Sequence, residues 1–406
     1  MKFEIIAIGD EILRGNIINS NASFISEKLR EKGYLVERHG VLSDNPEKLI
    51  AGIEEALLRS DLVITTGGLG PTLDDRTKNT IAKLFDVKLV HNAEIEKDLK
   101  KRFGFLPTLK EQATIFEGSH YFVNRVGTAP GMVLKKKGKT LVLLPGVPPE
   151  LHEMFSDVLS WIEQAFPLKE HFYQEKVYLA LLPEPLVDAY LRELAPMDPK
   201  VEIGIYPSTG FLQVHFSSKE KKRIQPLKDK LREKFASFYF EYPTIEEAVH
   251  EALIKQGKTL AFAESCSGGT MASRLTALPG VSKYFLGSIV SYSNEMKADI
   301  LGVSEHTLTK YGAISKETVN EMVEGLFNNT TADFAVAVSG IAGPGGGTVN
   351  KPVGTVFIAV GQREGTIDSG VIQAQGPRNL VIAYTVNTAL SALWRRIVHN
   401  ERTFEL

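Results

Sequence analysis

The chain has 406 residues, a net charge of −2, 43% hydrophobic residues and 24% charged residues. That length suits two or three domains of about 100–200 residues each, and the near-neutral balance gives no electrostatic footprint for nucleic acid as a partner. A single cysteine, Cys266, excludes an intrachain disulfide framework and a multi-thiolate zinc site and fits a reducing compartment.

Met1–Asp10 places a short apolar run before an acid, which predicts a first buried strand over Phe3–Ile8 rather than a signal peptide. No stretch approaches the roughly 18 apolar residues of a membrane span, so a cytoplasmic protein without a membrane partner is expected. Strands over Leu35–Val41 and Asp61–Thr65 then alternate with helices over Ala22–Lys32 and Pro46–Leu58, the pattern of a parallel α/β sheet. Met132–Lys136 and Thr140–Leu144 flank Lys137-Gly138-Lys139 as a hairpin, and Glu150–Phe166 reads as a closing helix. In the middle stretch Glu202–Tyr206 and Phe211–Phe216 alternate around a Pro-Ser-Thr-Gly turn, and Lys219–Phe235 reads as a charged surface helix. The α/β alternation restarts with a helix over Ile245–Lys255, a strand over Thr259–Ala263 and a helix over Gly268–Leu278. Strands over Phe285–Ser291, Phe334–Val338, Val353–Val360 and Thr366–Gln373 follow, and Arg378–His399 is a long last helix. The expected fold class is α/β: two α/β sandwich domains, residues 1–168 and 244–406, joined by a small α+β middle domain, residues 169–243.

The chemistry gathers where strands end. Glu264-Ser265-Cys266-Ser267-Gly268-Gly269 stands between a strand and a helix, the edge at which open α/β sheets bind ligands. Hydroxyls followed by two glycines bring backbone N–H groups to an anion, although Ser267 is equally well read as a plain N-cap. Tyr292 and Lys297 follow another strand, and Ser339-Gly340-Ile341-Ala342-Gly343 follows a third. Three strands ending in small, polar segments suit a phosphorylated small molecule. Arg378, opening the last helix, is a candidate phosphate clamp or an exposed first-turn arginine. Near the other end, Gly67, Gly68 and Gly70 lead through Thr72 to Asp74 and Asp75. This pattern fits backbone phosphate contacts with hard oxygen ligands for a divalent cation, or a loop whose acid caps the next helix. No lysine follows these glycines as a P-loop requires.

Residues 245–400 resemble the C-terminal domain of the CinA family through Ala263–Gly269, Tyr292–Lys297, Gly312–Ser315, Ser339–Pro344 and Lys351–Thr355. Residues 1–165 resemble a molybdopterin-binding-type domain through Gly9–Gly15, Asn19, Asn21, Thr65–Thr77, Gly127–Gly131 and Leu144–Glu150, the arrangement of full-length CinA proteins. The resemblance implies hydrolysis of nicotinamide mononucleotide to nicotinate mononucleotide and ammonia without a cofactor. It further implies metal-dependent cleavage of ADP-ribose to AMP and ribose 5-phosphate at the N-terminal domain, and a homodimer.

Carried onto this chain, the resemblance marks Ser265, Tyr292 and Lys297 as catalytic. Glu264, Ser267, Gly268, Gly269, Ser339, Gly340, Gly343 and Arg378 are the expected substrate contacts. Asp10, Gly67, Gly68, Gly70 and Thr72 are expected to hold a nucleotide, with Asp74 and Asp75 on the metal. His250, His306 and His399 lie outside the motifs, which leaves Ser265 attacking and Lys297 as base, with Tyr292 relaying a proton or orienting the lysine. Cys266 is a packing residue or, less simply, a nucleophile.

The chain departs from the family pattern at Thr108-Leu109, where an asparagine is expected, and at Leu181–Glu184, where a glycine turn is usual. A binding protein that holds a nucleotide or pterin and serves regulation or competence is the alternative function. The Ser265, Tyr292 and Lys297 trio favours the enzyme, and the charge argues against direct DNA contact.

Overall fold

The computed structural model describes residues 1–406 apart from 73, 74, 106, 169, 402, 403, 405 and 406. The described chain divides into two compact units, 1–174 and 175–406.

In the first unit the strands are β1 (Phe3–Ile8), β2 (Val36–Leu42), β3 (Leu62–Thr66), β4 (Leu89–His91), β5 (Thr114–Phe116), β6 (His120–Phe122), β7 (Gly131–Lys136) and β8 (Lys139–Leu144). A sheet ordered β2-β1-β3-β8-β7-β6 forms the centre, and β4 pairs with β5 as a separate ribbon. β2, β1, β3 and β8 run parallel, whereas β7 pairs antiparallel with both β8 and β6, so the sheet is mixed at the hairpin edge. The cause is local: Lys137 and Gly138 both take positive φ, 50° and 76°, the geometry of a two-residue turn that reverses the chain. β1 and β3 are buried along their whole length because helices cover both faces. Helices Ser20–Glu31 and Pro148–Ala165 pack Ile25, Leu29, Phe155 and Val158 on one face. On the other, helices Pro46–Arg59 and Thr77–Phe85 contribute Leu49, Ile53, Ile81 and Phe85. Asn45 starts the first of these, accepting from the Glu47 and Lys48 N–H groups ahead of Pro46.

The second unit opens with a small sheet, ordered β10 (Glu202–Ser208), β11 (Phe211–Ser218), β9 (Tyr173–Ala180) and β12 (Tyr239–Phe240). The helix expected over Lys219–Phe235 spans Lys221–Lys234 and is not merely a surface element, since Ile224, Leu227 and Leu231 are core residues. The main sheet is ordered β14 (Phe285–Val290), β13 (Leu260–Glu264), β15 (Phe334–Gly340), β16 (Thr355–Gln362) and β17 (Ile367–Gln373). β14, β13 and β15 are parallel; β16 and β17 are antiparallel.

Side-chain alternation sorts β13 cleanly. Leu260 and Phe262 enter the core under helices Ile245–Gln256, Thr270–Thr276 and Arg378–His399. Ala261 and Ala263 face helices Asn294–Leu301 and Lys316–Asn329. The small sheet joins the first of these cores, where Phe240 stands 5.5 Å from Tyr178 and 5.7 Å from Trp394, ring to ring. Among the described residues no helix is long and apolar enough to cross a membrane.

Candidate active site

Ser265 directly follows β13 at the carboxyl edge of the sheet. Lys297 comes from helix Asn294–Leu301, which Ser293 caps by accepting from the Met296 N–H and which ends at Gly302 in a left-handed conformation. This short helix turns its lysine inward: Lys297 is 1% exposed and Ser265 8%. Lys297 Nζ lies 3.1 Å from Ser265 Oγ and donates to the Ser291 and Tyr292 carbonyls at 2.7 and 3.4 Å. Burial pushes its pKa below the ordinary lysine value, opposed only by the neighbouring Cys266. A neutral amine satisfies this geometry fully. It donates two N–H to the carbonyls and keeps its lone pair for the Ser265 hydroxyl.

The turn that presents Ser265 is anchored from the opposite face of the sheet. Glu264, completely buried, accepts from the Met271 and Ala272 N–H groups, both at 3.0 Å, and from the Ser267 and Ser288 hydroxyls at 2.8 and 3.0 Å. The sequence reading places Glu264 and Ser267 among the substrate contacts; the structure spends both on this internal cap. Ser267 is not the N-cap either. Gly268 and Gly269 take φ of 60° and 93°, and the helix begins at Thr270 with Gly269 as its cap. These glycines let the chain turn, and half-exposed Gly269 and exposed Gly268 stay open at the edge. Cys266 points into the apolar core, where burial pushes its thiol up to about 12, which leaves it a packing residue.

From the sequence, Tyr292 is expected to relay a proton or to orient the lysine. The ring is 62% exposed, and the hydroxyl accepts from Arg378 Nη2 at 3.2 Å; only the Tyr292 carbonyl meets Lys297. Arg378 Nη1 donates to the Gly343 carbonyl at 2.9 Å. Arg378, Gly343, Pro344, Val353 and Ile382 line an open pocket of about 740 Å³. Each of the two Arg378 nitrogens keeps a second N–H for an anion. Ser339 is buried and donates to the Ala313 carbonyl at 2.6 Å, while Lys351 Nζ donates to the Tyr311 and Ile314 carbonyls. The Gly312–Ser315 and Lys351–Thr355 motifs are thus clasped together structurally. Gly340 is needed for close packing, since an added Cβ would strike Val356.

In the first unit, Gly67, Gly68, Gly70 and Thr72 come together on a cleft of about 540 Å³ at the ends of β1, β3 and β8, with Glu11, Asn21, Asp44 and Asp75. Gly67 and Gly68 take φ of 114° and 66°, and a Cβ on Gly67 would collide with the Ile8 carbonyl. Asn21 is buried, donating to Thr66 Oγ1 and the Gly146 carbonyl, while its Oδ1 has no partner among the described residues. Asp10 sits outside the cleft lining: its carboxylate pairs with Arg14 at 3.1 Å and its N–H donates to Asp44.

Asp75, expected as a metal ligand, is also tied into its own loop. Its Oδ2 accepts from the Thr72 N–H and hydroxyl, at 3.0 and 2.6 Å, and so closes its own loop. It does not cap helix Thr77–Phe85, which starts without a side-chain cap. Asp74 lies outside the described residues. Among the described residues, which leave out Asp74, no group of three or more His, Cys, Asp or Glu is placed to hold a metal ion.

Residues 243–397 match the family model described as "CinA C-terminal domain", and residues 4–164 the one described as "Probable molybdopterin binding domain". A CinA-like protein of Fervidobacterium nodosum is 36% identical over 404 residues, covering 97% of this chain and 98% of its own. One of Thermotoga neapolitana is 37% identical over 413 residues, covering 99% and 100%. A CinA superfamily protein of known structure from Klebsiella pneumoniae is 36% identical over 38% of this chain and 96% of its own, with a TM-score of 0.37. With relatives matched from end to end and both family models in their expected order, the chain belongs to the CinA family.

Proposed function

We propose that the site at the end of β13 hydrolyses the carboxamide of nicotinamide mononucleotide to nicotinate mononucleotide and ammonia. The observation that carries this reading is the buried contact between Ser265 Oγ and Lys297 Nζ, with the lysine pKa lowered by burial. As Oγ attacks the amide carbon, its proton passes to neutral Lys297. Backbone N–H groups of the Cys266–Ser267 segment are the candidate donors for the developing oxyanion. Lys297 then hands its proton to the departing nitrogen, the C–N bond breaks and ammonia leaves a nicotinoyl ester on Ser265. Water hydrolyses that ester with Lys297 again as base. Arg378, at the pocket, is the group proposed to hold the phosphate.

The test is ammonia release from nicotinamide mononucleotide by wild type and by Ser265→Ala, with and without chelator. Chelator-resistant release that disappears in the variant supports the reading, and no release from folded wild type rejects it.

We also infer that the N-terminal cleft binds a nucleotide or pterin. Its glycine walls and Asn21 Oδ1, which has no partner among the described residues, favour recognition of a polar ligand. Titration calorimetry with ADP-ribose, AMP and a pterin tests binding. Release of AMP from ADP-ribose with divalent metal separates cleavage from binding alone.

A further inference from the structure

The ladder pairs Glu264 with Val290 on one side and with Val338 on the other. It continues one residue further, with the Ser291 N–H donating to the Glu264 carbonyl at 2.9 Å and the Ser265 N–H to the Val338 carbonyl at 3.1 Å. Ser291, Ser265 and Ser339 therefore stand side by side at the carboxyl ends of parallel strands. The alternation that turns Ala261, Ala263, Ala335, Ala337 and Ile289 toward helices Asn294–Leu301 and Lys316–Asn329 turns all three hydroxyls there too. With neighbouring strands about 5 Å apart, Ser265 has a hydroxyl one strand spacing away on either side.

The flanking hydroxyls differ. Ser339 Oγ is committed to the Ala313 carbonyl. Ser291 is completely buried, and its Oγ has no partner among the described residues, while its own carbonyl holds Lys297 Nζ. An unpaired buried hydroxyl is a liability to the fold that alanine would not carry. Its position beside the nucleophile and the amine is where a small polar reactant would be held.

We propose that Ser291 Oγ seats the water that hydrolyses the ester formed on Ser265. The inference rests on the reading of Ser265 as nucleophile and Lys297 as its base. In that step the water oxygen bonds to the acyl carbon and its proton passes to Lys297 Nζ. The bond from the acyl carbon to Ser265 Oγ then breaks, and the proton returns from Nζ to Oγ, leaving free acid and free serine. Ser291 is a positioning residue, acting on the reaction through the water it orients.

The experiment compares wild type, Ser291→Ala and Ser291→Thr with p-nitrophenyl acetate and with nicotinamide mononucleotide. It records the burst of first product, the steady-state rate, the mass of the acylated protein and the melting temperature. Ser291→Ala is expected to keep its burst, to melt no lower than wild type, to turn over at least about 10-fold more slowly, and to accumulate an adduct on Ser265. Ser291→Thr, which retains a hydroxyl, is expected to restore turnover.

Unchanged turnover in Ser291→Ala overturns the inference, and so does a loss shared equally by burst and turnover. If wild type is acylated by the ester yet releases no ammonia from the nucleotide, the substrate reading fails and the ester arm still decides the role of Ser291. If neither compound acylates Ser265, the nucleophile reading and this inference fall together.

Discussion

Glu264→Ala removes the one acceptor shared by the first N–H groups of helix Thr270–Thr276 and by two hydroxyls. The hydroxyls can rotate to other acceptors, but the Met271 and Ala272 N–H groups cannot, and each buried donor left unpaired costs about 1–2 kcal/mol. Losing a negative charge at a helix N-terminus adds roughly 0.5–1 kcal/mol. Relief of the carboxylate's own desolvation acts the other way and holds the expected net loss to about 3 kcal/mol. For a unit of this size that is about 10 °C in melting temperature. Calorimetry and urea unfolding of the second unit are the assays. Glu264→Gln, which keeps one carbonyl oxygen, should lose about 2 kcal/mol. A Glu264→Ala melting temperature within about 2 °C of wild type would refute the idea that this carboxylate holds the nucleophile's turn.

Amide hydrolysis should rise with pH as Lys297 loses its proton, because only the neutral amine is a base. The apparent pKa should fall below the ordinary lysine value of about 10.4, and a value at or above it contradicts the burial argument. The same lowered pKa means the unfolded chain binds the proton more readily, so this lysine's contribution to stability improves as pH climbs from the folded toward the unfolded pKa. Lys297→Arg, fixed in the charged form, should lose about 10³-fold or more in kcat, read by ammonia release. Arg378→Ala should raise KM for the phosphorylated substrate about 10–100-fold with a smaller change in kcat; a pure kcat loss would remove Arg378 from the binding site. Cys266→Ala should retain activity and lose about 1 kcal/mol by urea titration, and the native thiol should resist iodoacetamide at pH 8 until the chain unfolds. Gly67→Ala should cost about 2 kcal/mol or more in the first unit and abolish ligand binding in its cleft by calorimetry, given the collision with Ile8.

The elements that follow from periodicity alone were readable in the sequence. The last helix was expected over Arg378–His399 and spans those residues, and the hairpin at Lys137-Gly138 is written in its turn chemistry. Pairing of Ser265 with Lys297 was also legible, through the motifs around them. What was not legible is which polar side chains are spent internally. A glutamate beside a serine reads as a ligand contact until the N–H groups seven and eight residues later are seen to converge on it. The depth of Lys297's burial was not legible because helix Asn294–Leu301 is short and only weakly amphipathic, although Ser293 and Gly302 mark both its ends.

Ser291 escaped notice as a site residue, yet strand alternation carries a signal for it: the hydroxyls at 265, 291 and 339 share one face once the strand order is known. At Leu181, where the resemblance expects a glycine turn, the backbone still turns at φ 62°. That conformation costs a leucine roughly 1–2 kcal/mol, offset by its packing against the core under the last helix.

The seam between the small sheet and the main one bears on how the chain can be divided. Phe240 packs on Trp394 with Tyr178 stacked against Phe240, and the Thr209 carbonyl at the β10–β11 turn accepts from Asn387, which in turn holds Arg274 on the helix after the nucleophile. Cutting at residue 244 would therefore strip a lid from Trp394 and leave Asn387 short of an acceptor. Evolution can detach or exchange the small sheet only by rewriting residues that lie far along the chain, in the last helix.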